Sequence, residues 1–212
     1  MKIILITGFE PFGGEMRNPS KEIARALDGR VIADCRVAGV VLPCVFREAL
    51  AELSRQLRVR RPVRVICLGQ AGGRSEITPE RVAINIDDAR IADNAGAQPV
   101  DVPVVRGGPV AYWSTLPVKA IVAALQERGM PAAVSQTAGT FVCNHVFYGL
   151  MHALRRRRGV RGGFIHVPWL PEQAKRGQPS LPLATMIEAV ALAAEVSVRT
   201  RHDRRVGGGA TH

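Results

Sequence analysis

Short apolar runs alternate with segments of helical period along nearly the whole chain, and no feature constrains its fold more tightly. Ile3 to Thr7 reads as a buried first strand, although Met1 to Gly8 superficially resembles a signal peptide. Pro19 to Leu27 reads as a helix entered through Asn18, a capping side chain followed by proline at the first helical position. Val31 to Leu42 is β-rich, and Val45 to Val59 carries Phe46, Leu50, Leu53 and Leu57 on one side of a helix. Val63 to Leu68 is a short strand running into Gly69-Gln70-Ala71-Gly72-Gly73. Arg81 to Ile86 reads as a strand, Asp87 to Gly108 as irregular, Val118 to Arg128 as a helix and Ala132 to Ser135 as a strand. Cys143 to Arg157 reads as a helix, Gly163 to Val167 as a strand and Leu183 to Val198 as the last helix.

This order predicts an α/β fold: a single-domain three-layer α/β/α sandwich with a largely parallel, mixed central sheet. The expected domain covers residues 1–199. Residues 200–212 form a basic, Gly-rich tail expected to fray. Sites in such sheets lie at the carboxyl ends of the strands. Gly8-Phe9, Gly69-Gln70 and His166 all fall at such ends.

Composition removes several alternatives. At 212 residues and 47% hydrophobic, the chain is long and apolar enough for a substantial core. No apolar run approaches the roughly 20 residues that span a bilayer, so no membrane partner is expected. Cys35, Cys44, Cys67 and Cys143 include no CxxC pair, and their spacing suits neither zinc nor a disulfide framework. Free thiols imply a reducing compartment, and a cytoplasmic location is expected. The formal charge of +11 raises the question of nucleic acid. Its arginines concentrate in two runs, Arg155 to Arg158 with Arg161, and Arg199 to Arg205, without interleaved aromatics or a recognition motif. A solvated face is the expected role, with no specific nucleic-acid partner.

Three segments carry chemistry. Cys143 follows the small-residue turn Thr137-Ala138-Gly139-Thr140 and opens a helix, where unpaired N–H groups and the helix dipole favour a thiolate. An inert core cysteine is the plainer alternative, and it is the expectation for Cys35, Cys44 and Cys67. His166 ends a strand before Pro168 and is the best-placed base. His145 lies two residues from Cys143, about 200° around the helix, and points away from it. The acid is open among Glu10, Glu76, Glu80, Asp87, Asp88 and Asp93. Glu80 precedes an apolar strand and can orient an imidazole, or can simply pair with Arg81 or Arg90. Phe9 and Phe12 either pack a loop or wall a small apolar pocket. Gly13-Gly14 and Gly69 to Gly73 match neither common phosphate-binding pattern.

Several longer motifs, in order, resemble the pyrrolidone carboxyl peptidase (pyroglutamyl peptidase I) family. They are Thr7-Gly8-Phe9-Glu10-Pro11-Phe12-Gly13-Gly14 with Asn18-Pro19-Ser20, Gly69 through Arg74, and Glu80 through Asn85. Asp88-Ala89-Arg90, Ala138 through Asn144, His166-Val167-Pro168 and Pro171-Glu172-Gln173 complete the set. The likeness runs from Ile3 to about Val198. Phe141 stands where tyrosine is expected, which removes only a hydroxyl.

The resemblance implies Cys143 as nucleophile, His166 as base and Glu80 as the orienting acid, with Arg90 near the oxyanion. It also implies a thiol exopeptidase without metal or cofactor, acting on peptides with N-terminal pyroglutamate, and a homotetramer. On that reading Phe9 and Phe12 suit the faces of a lactam ring, and Gln70 is a polar contact or loop organiser. A cysteine amidase acting on another small cyclic amide is the competing enzyme class, and a basic nucleic-acid-binding protein the non-enzymatic one.

Overall fold

Asn18 caps the first helix as its position predicts, and that cap fixes one end of the sheet. In the computed structural model, which describes residues 1–209, strand β1 (Lys2–Phe9) is followed by helix α1 (Pro19–Leu27). The Asn18 Oδ1 accepts from the Ser20 N–H at 3.0 Å, and the Ser20 Oγ accepts from the Phe9 N–H at 2.9 Å. Gly8 makes this close approach possible, because a Cβ there would lie 2.0 Å from the Ser20 carbonyl oxygen.

The chain continues through β2 (Val31–Ile32), β3 (Cys35–Leu42), α2 (Glu48–Arg60), β4 (Arg64–Gln70), β5 (Thr78–Pro79) and β6 (Val82–Ile84). Then follow β7 (Ala111–Trp113), α3 (Val118–Glu127), α4 (Val142–Leu154), β8 (Arg161–Val167) and α5 (Leu183–Arg199). The main sheet has the order β2-β3-β1-β4-β8-β5. Its four inner strands are parallel, and β2 and β5 are antiparallel edges. It is therefore the largely parallel, mixed sheet of a single α/β domain.

Alternation along the strands creates the two cores. Ile4 and Ile6 of β1, Ile66 and Leu68 of β4, and Ile165 and Val167 of β8 meet α1, α3 and α5 on one face. Leu5, Phe9, Val65, Cys67 and Phe164 meet α2 and α4 on the other. Every strand of the parallel set is apolar on both faces, as a sheet covered on both sides requires.

Three segments depart from the sequence expectation. The Arg81 to Ile86 strand shortens to β6 and leaves the main sheet, pairing with β7 in a separate two-stranded ribbon. Ala132 to Ser135 forms only isolated bridges, Ile77 to Ala132 and Glu80 to Ser135. The cause is Pro79. Backbone bonds run from Ile77 to Pro131, Ala133 to Ile77, Ser135 to Pro79 and Arg81 to Ser135, but Pro79 has no N–H to continue the ladder between them.

The described part of the tail expected to fray, Thr200 to Gly209, lies across α3; residues 210–212 lie outside the described residues. Asp203 accepts from the backbone N–H groups of Lys119 and Ala120 at 3.1 and 2.9 Å, and so caps a helix whose own N-cap residue, Pro117, offers no side-chain bond. Arg161 donates to the Thr200 carbonyl at 2.8 Å.

Candidate active site

Residue parity on β8 and β4 aims the site. His166 shares the face of Phe164, toward α4, and Gly69 shares the face of Val65 and Cys67. Gly69 and His166 are register partners across β4 and β8. Cys143 occupies the first turn of α4 above them, with its sulfur directly over Gly69. A Cβ added at Gly69 would meet the Cys143 Sγ at 2.8 Å. Only a glycine leaves room for the sulfur there.

Glu80 reaches the same point from the sheet edge. Its N–H bonds the Phe164 carbonyl at 2.9 Å, beside the antiparallel pairing of Thr78 with His166. Its Oε1 accepts from the His166 Nδ1 at 2.7 Å. With that nitrogen carrying the proton, the His166 Nε2 is left with its lone pair. Among the described residues, no hydrogen bond engages Nε2. Glu80 and His166 are both buried. The structure thus brings together the three residues that the sequence singled out.

A fourth group was quoted in a motif but given no role. Arg74, at the end of the glycine loop, donates to the Glu80 Oε1 and the Thr78 Oγ1 at 2.7 and 2.6 Å, and to the Thr137 carbonyl at 3.0 Å. It offsets the cost of burying the Glu80 carboxylate and ties it to the turn preceding α4. The Glu80 Oε2 is buried without a partner among the described residues. An arginine closing a glycine loop six residues before a buried glutamate was the available signal.

Electrostatics set burial against the helix end. Burial pushes the Cys143 thiol above its ordinary range, and the charges of Cys44 and Glu80 add to this, while Arg74 opposes it. The helix end still favours the thiolate, but it acts against desolvation. Burial likewise lowers the His166 pKa, against the raising effect of its Glu80 hydrogen bond, and Arg74 lowers it further. Burial thus favours the neutral form of each group, against the helix end at Cys143 and against Glu80 at His166. Cys67 is inert by the same physics, its buried thiol pushed up to about 12.

The other predicted residues divide. Phe12 is partly buried, with its ring 5.9 Å from that of Phe141, the residue just before α4. Phe141 in turn meets Phe46 edge-on at 5.4 Å. Phe9 is 2% exposed and packs against Phe164 at 6.4 Å, so it is part of the core beneath the site. Gln70 lies on the opposite face of β4 from Gly69. Its Oε1 accepts from Gln173 at 3.0 Å, and Gln173 also donates to the Arg17 carbonyl. Arg90 is exposed, and among the described residues its side chain makes no hydrogen bond; its loop is held to Thr140 by the Asp88 N–H at 3.0 Å.

Among the described residues, no cluster of His, Cys, Asp and Glu has metal-binding geometry, and no helix is long and apolar enough to cross a membrane. A half-buried thiol, an imidazole with a free nitrogen and a carboxylate behind it are the working parts of a cysteine hydrolase.

Comparison with known proteins narrows that class. The sequence profile of the pyroglutamyl peptidase family matches residues 1–200. The chain is 59% identical over 211 residues to the pyrrolidone-carboxylate peptidase of Klebsiella pneumoniae, covering 99% of each. It is 56% identical over 215 residues to that of a Bacillus cereus strain, covering all of both. Its structure is similar to the crystal structure of pyroglutamyl peptidase I from Bacillus amyloliquefaciens, with a TM-score of 0.95 at 48% identity over 97% of this chain and 99% of that one. The pyrrolidone carboxyl peptidase of Thermococcus litoralis matches with a TM-score of 0.94 at 42% identity, over 98% and 100%. The chain belongs to the pyroglutamyl peptidase family, hydrolases that remove N-terminal pyroglutamate with a cysteine nucleophile.

Proposed function

We propose that this chain hydrolyses the amide bond between an N-terminal pyroglutamyl group and the next residue, with Cys143, His166 and Glu80 as its catalytic residues. One observation carries the assignment of roles. The His166 Nδ1–H is committed to Glu80 at 2.7 Å, which leaves Nε2 to take a proton beside a sulfur seated on Gly69.

The Cys143 Sγ attacks the acyl carbonyl carbon as its proton passes to the His166 Nε2. Burial disfavours a free thiolate, and transfer of the proton during attack avoids forming one. Glu80 stabilises the imidazolium so formed, and Arg74 holds the Glu80 carboxylate in place through its bond to Oε1. The carbonyl oxygen becomes an oxyanion facing the first turn of α4. No side chain caps that turn, so the Cys143 N–H is available to it, and the family resemblance assigns Arg90, exposed on a neighbouring loop, as a second donor. The C–N bond breaks as His166 returns the proton to the leaving amine. Water then attacks the thioester, giving its proton to the same imidazole, and pyroglutamate and the free thiol are restored.

The lactam nitrogen of pyroglutamate carries no positive charge. A pocket for it needs apolar walls rather than an anchoring carboxylate. Phe12, backed by Phe141, supplies a wall; Phe9 supports the floor beneath, and Gln70 organises the loop through Gln173. No cofactor or metal enters these steps. Assembly as a homotetramer is part of the reading, supported by the exposed apolar side chains Trp113, Val110 and Val100. A cytoplasmic location is supported by four free thiols.

The test compares pyroglutamyl-, prolyl- and glutaminyl-coumarin amides with wild type and Cys143→Ala. Turnover of the pyroglutamyl amide by wild type alone is expected. Equal turnover of all three, or preference for a different cyclic amide, overturns the substrate assignment.

A further inference from the structure

We propose that Asp87 and His145 form a second carboxylate–imidazole couple that positions the aromatic wall of the substrate pocket, acting from the nucleophile's own helix. The inference rests on the pyroglutamyl reading of the site.

The couple is built like the catalytic one but faces elsewhere. The His145 Nδ1 bonds the Asp87 Oδ2 at 2.8 Å, and both residues are buried. The His145 Nε2 accepts from the Arg47 backbone N–H at 3.1 Å, so the ring is held in its Nδ1–H tautomer. Both nitrogens are used, and neither is available for proton transfer at Cys143.

What the couple holds is the short segment before α2. Arg47 has φ +62° and ψ −47°, the centre of a tight turn closed by the Glu48 N–H on the Phe46 carbonyl at 2.7 Å, and a positive φ is uncommon for a residue with a side chain. A backbone in that state persists only when its surroundings impose it. Three acceptors fix this segment. The Cys44 N–H bonds the Glu10 Oε1 at 3.0 Å, the Phe46 N–H bonds the Asp93 Oδ2 at 2.8 Å, and the Arg47 N–H bonds His145. Only the last comes from α4, two residues from Cys143.

Phe46 transmits the placement. Its ring meets His145 edge-on at 5.4 Å and Phe141 edge-on at the same distance. Phe141 packs on Phe12, and it lies two residues before the nucleophile. A chain of contacts thus runs from Asp87 through His145, Arg47 and Phe46 to the Phe141–Phe12 wall. Apolar packing alone would not need a buried carboxylate, and the Asp87 Oδ1 is left without a partner among the described residues.

Two substitutions separate the two contacts of His145. In His145→Gln the amide oxygen lies where Nε2 was and can still accept from Arg47, while the bond to Asp87 is lost. In His145→Asn the amide lies where Nδ1 was, keeping Asp87 and losing Arg47. Alkylation of Cys143 titrates the folded enzyme in each preparation, and hydrogen exchange follows the Arg47 amide.

For the pyroglutamyl amide, His145→Asn is expected to raise KM about tenfold with kcat within about threefold of wild type, the signature of lost binding rather than lost chemistry. Its Arg47 amide exchanges faster. His145→Gln, which keeps the Arg47 contact and loses the Asp87 anchor, is expected to raise KM about threefold and to leave Arg47 partly protected. The proposal is overturned if His145→Asn retains wild-type KM or Arg47 protection, or if both variants lose kcat alike. A wild type that turns over no pyroglutamyl amide overturns the functional reading instead, and the exchange data still decide whether His145 fixes the segment.

Discussion

Gly69→Ala tests the seat of the nucleophile with one added carbon. The new Cβ would lie 2.8 Å from the Cys143 Sγ, and 2.8 and 2.9 Å from two carbons of the Phe164 ring. Comfortable non-bonded contacts are about 3.5–4.0 Å, so sulfur and ring must together yield roughly an ångström. Phe164 is fully buried and packed against Phe9 and Phe147, which leaves it little room. The sulfur, in the partly exposed first turn of α4, is the part that moves. A displacement of that size from attack geometry costs about 10²-fold in rate, and the overpacking costs about 1–3 kcal/mol of stability. The assay is kcat/KM on the pyroglutamyl amide beside urea denaturation. Gly162→Ala is the control, since its Cβ would meet Leu154, Leu150 and the Val65 carbonyl at 2.8 to 3.3 Å without touching the site. Gly69→Ala should lose most activity and Gly162→Ala should keep it at comparable stability. If Gly69→Ala turns over at the wild-type rate, the sulfur does not act from this position.

Three further outcomes follow from the same geometry. The folded His166 pKa is lowered from 6.5, so the acid limb of kcat/KM should lie below that value, and an acid limb at or above it contradicts the burial argument. Because the unfolded state binds this proton more readily, His166's contribution to stability is full above pH 6.5 and declines as pH falls toward its depressed pKa, which urea titrations across that window check. Asp203→Ala should cost about 1 kcal/mol by uncapping α3, with kcat unchanged, and an unaltered denaturation midpoint would mean that the cap contributes nothing. Phe9→Ala should cost about 3–5 kcal/mol of stability as a core cavity, whereas Phe12→Ala should chiefly raise KM, by the equivalent of about 1–3 kcal/mol. Matching effects of the two on both quantities would erase the distinction between floor and wall.

Legibility in the sequence follows the reach of the interactions. Helix α1 begins and ends where Asn18, Pro19 and the apolar period put it, because its signals are local. The parallel strands were legible as apolar runs, and their carboxyl ends marked the site. The ribbon of β6 and β7 was not, because three-residue strands carry no period and their pairing joins residues about thirty apart. Pro79 broke a ladder that the apolar stretch after Ala132 would otherwise complete, and nothing near Ala132 announces this. Cys143 and His166 were nominated by position, whereas the acid stayed open among six carboxylates until the resemblance assigned Glu80. The Arg74 network and the His145 contact to Arg47 depend on tertiary distances, which residue spacing does not carry. The helix end that favours the Cys143 thiolate is visible in sequence, whereas the burial that opposes it is not.

The central claim is that Cys143 carries the pyroglutamyl group during turnover, and an acid-quenched acyl-enzyme tests it most directly. Brief mixing with an activated pyroglutamyl ester, followed by quenching and peptide mass mapping, should place one pyroglutamyl group on the peptide containing Cys143. The group should be cleaved by hydroxylamine, as a thioester is, and be missing from Cys143→Ala. A pyroglutamyl group mapped to another residue, or sustained turnover by Cys143→Ala, would contradict the account.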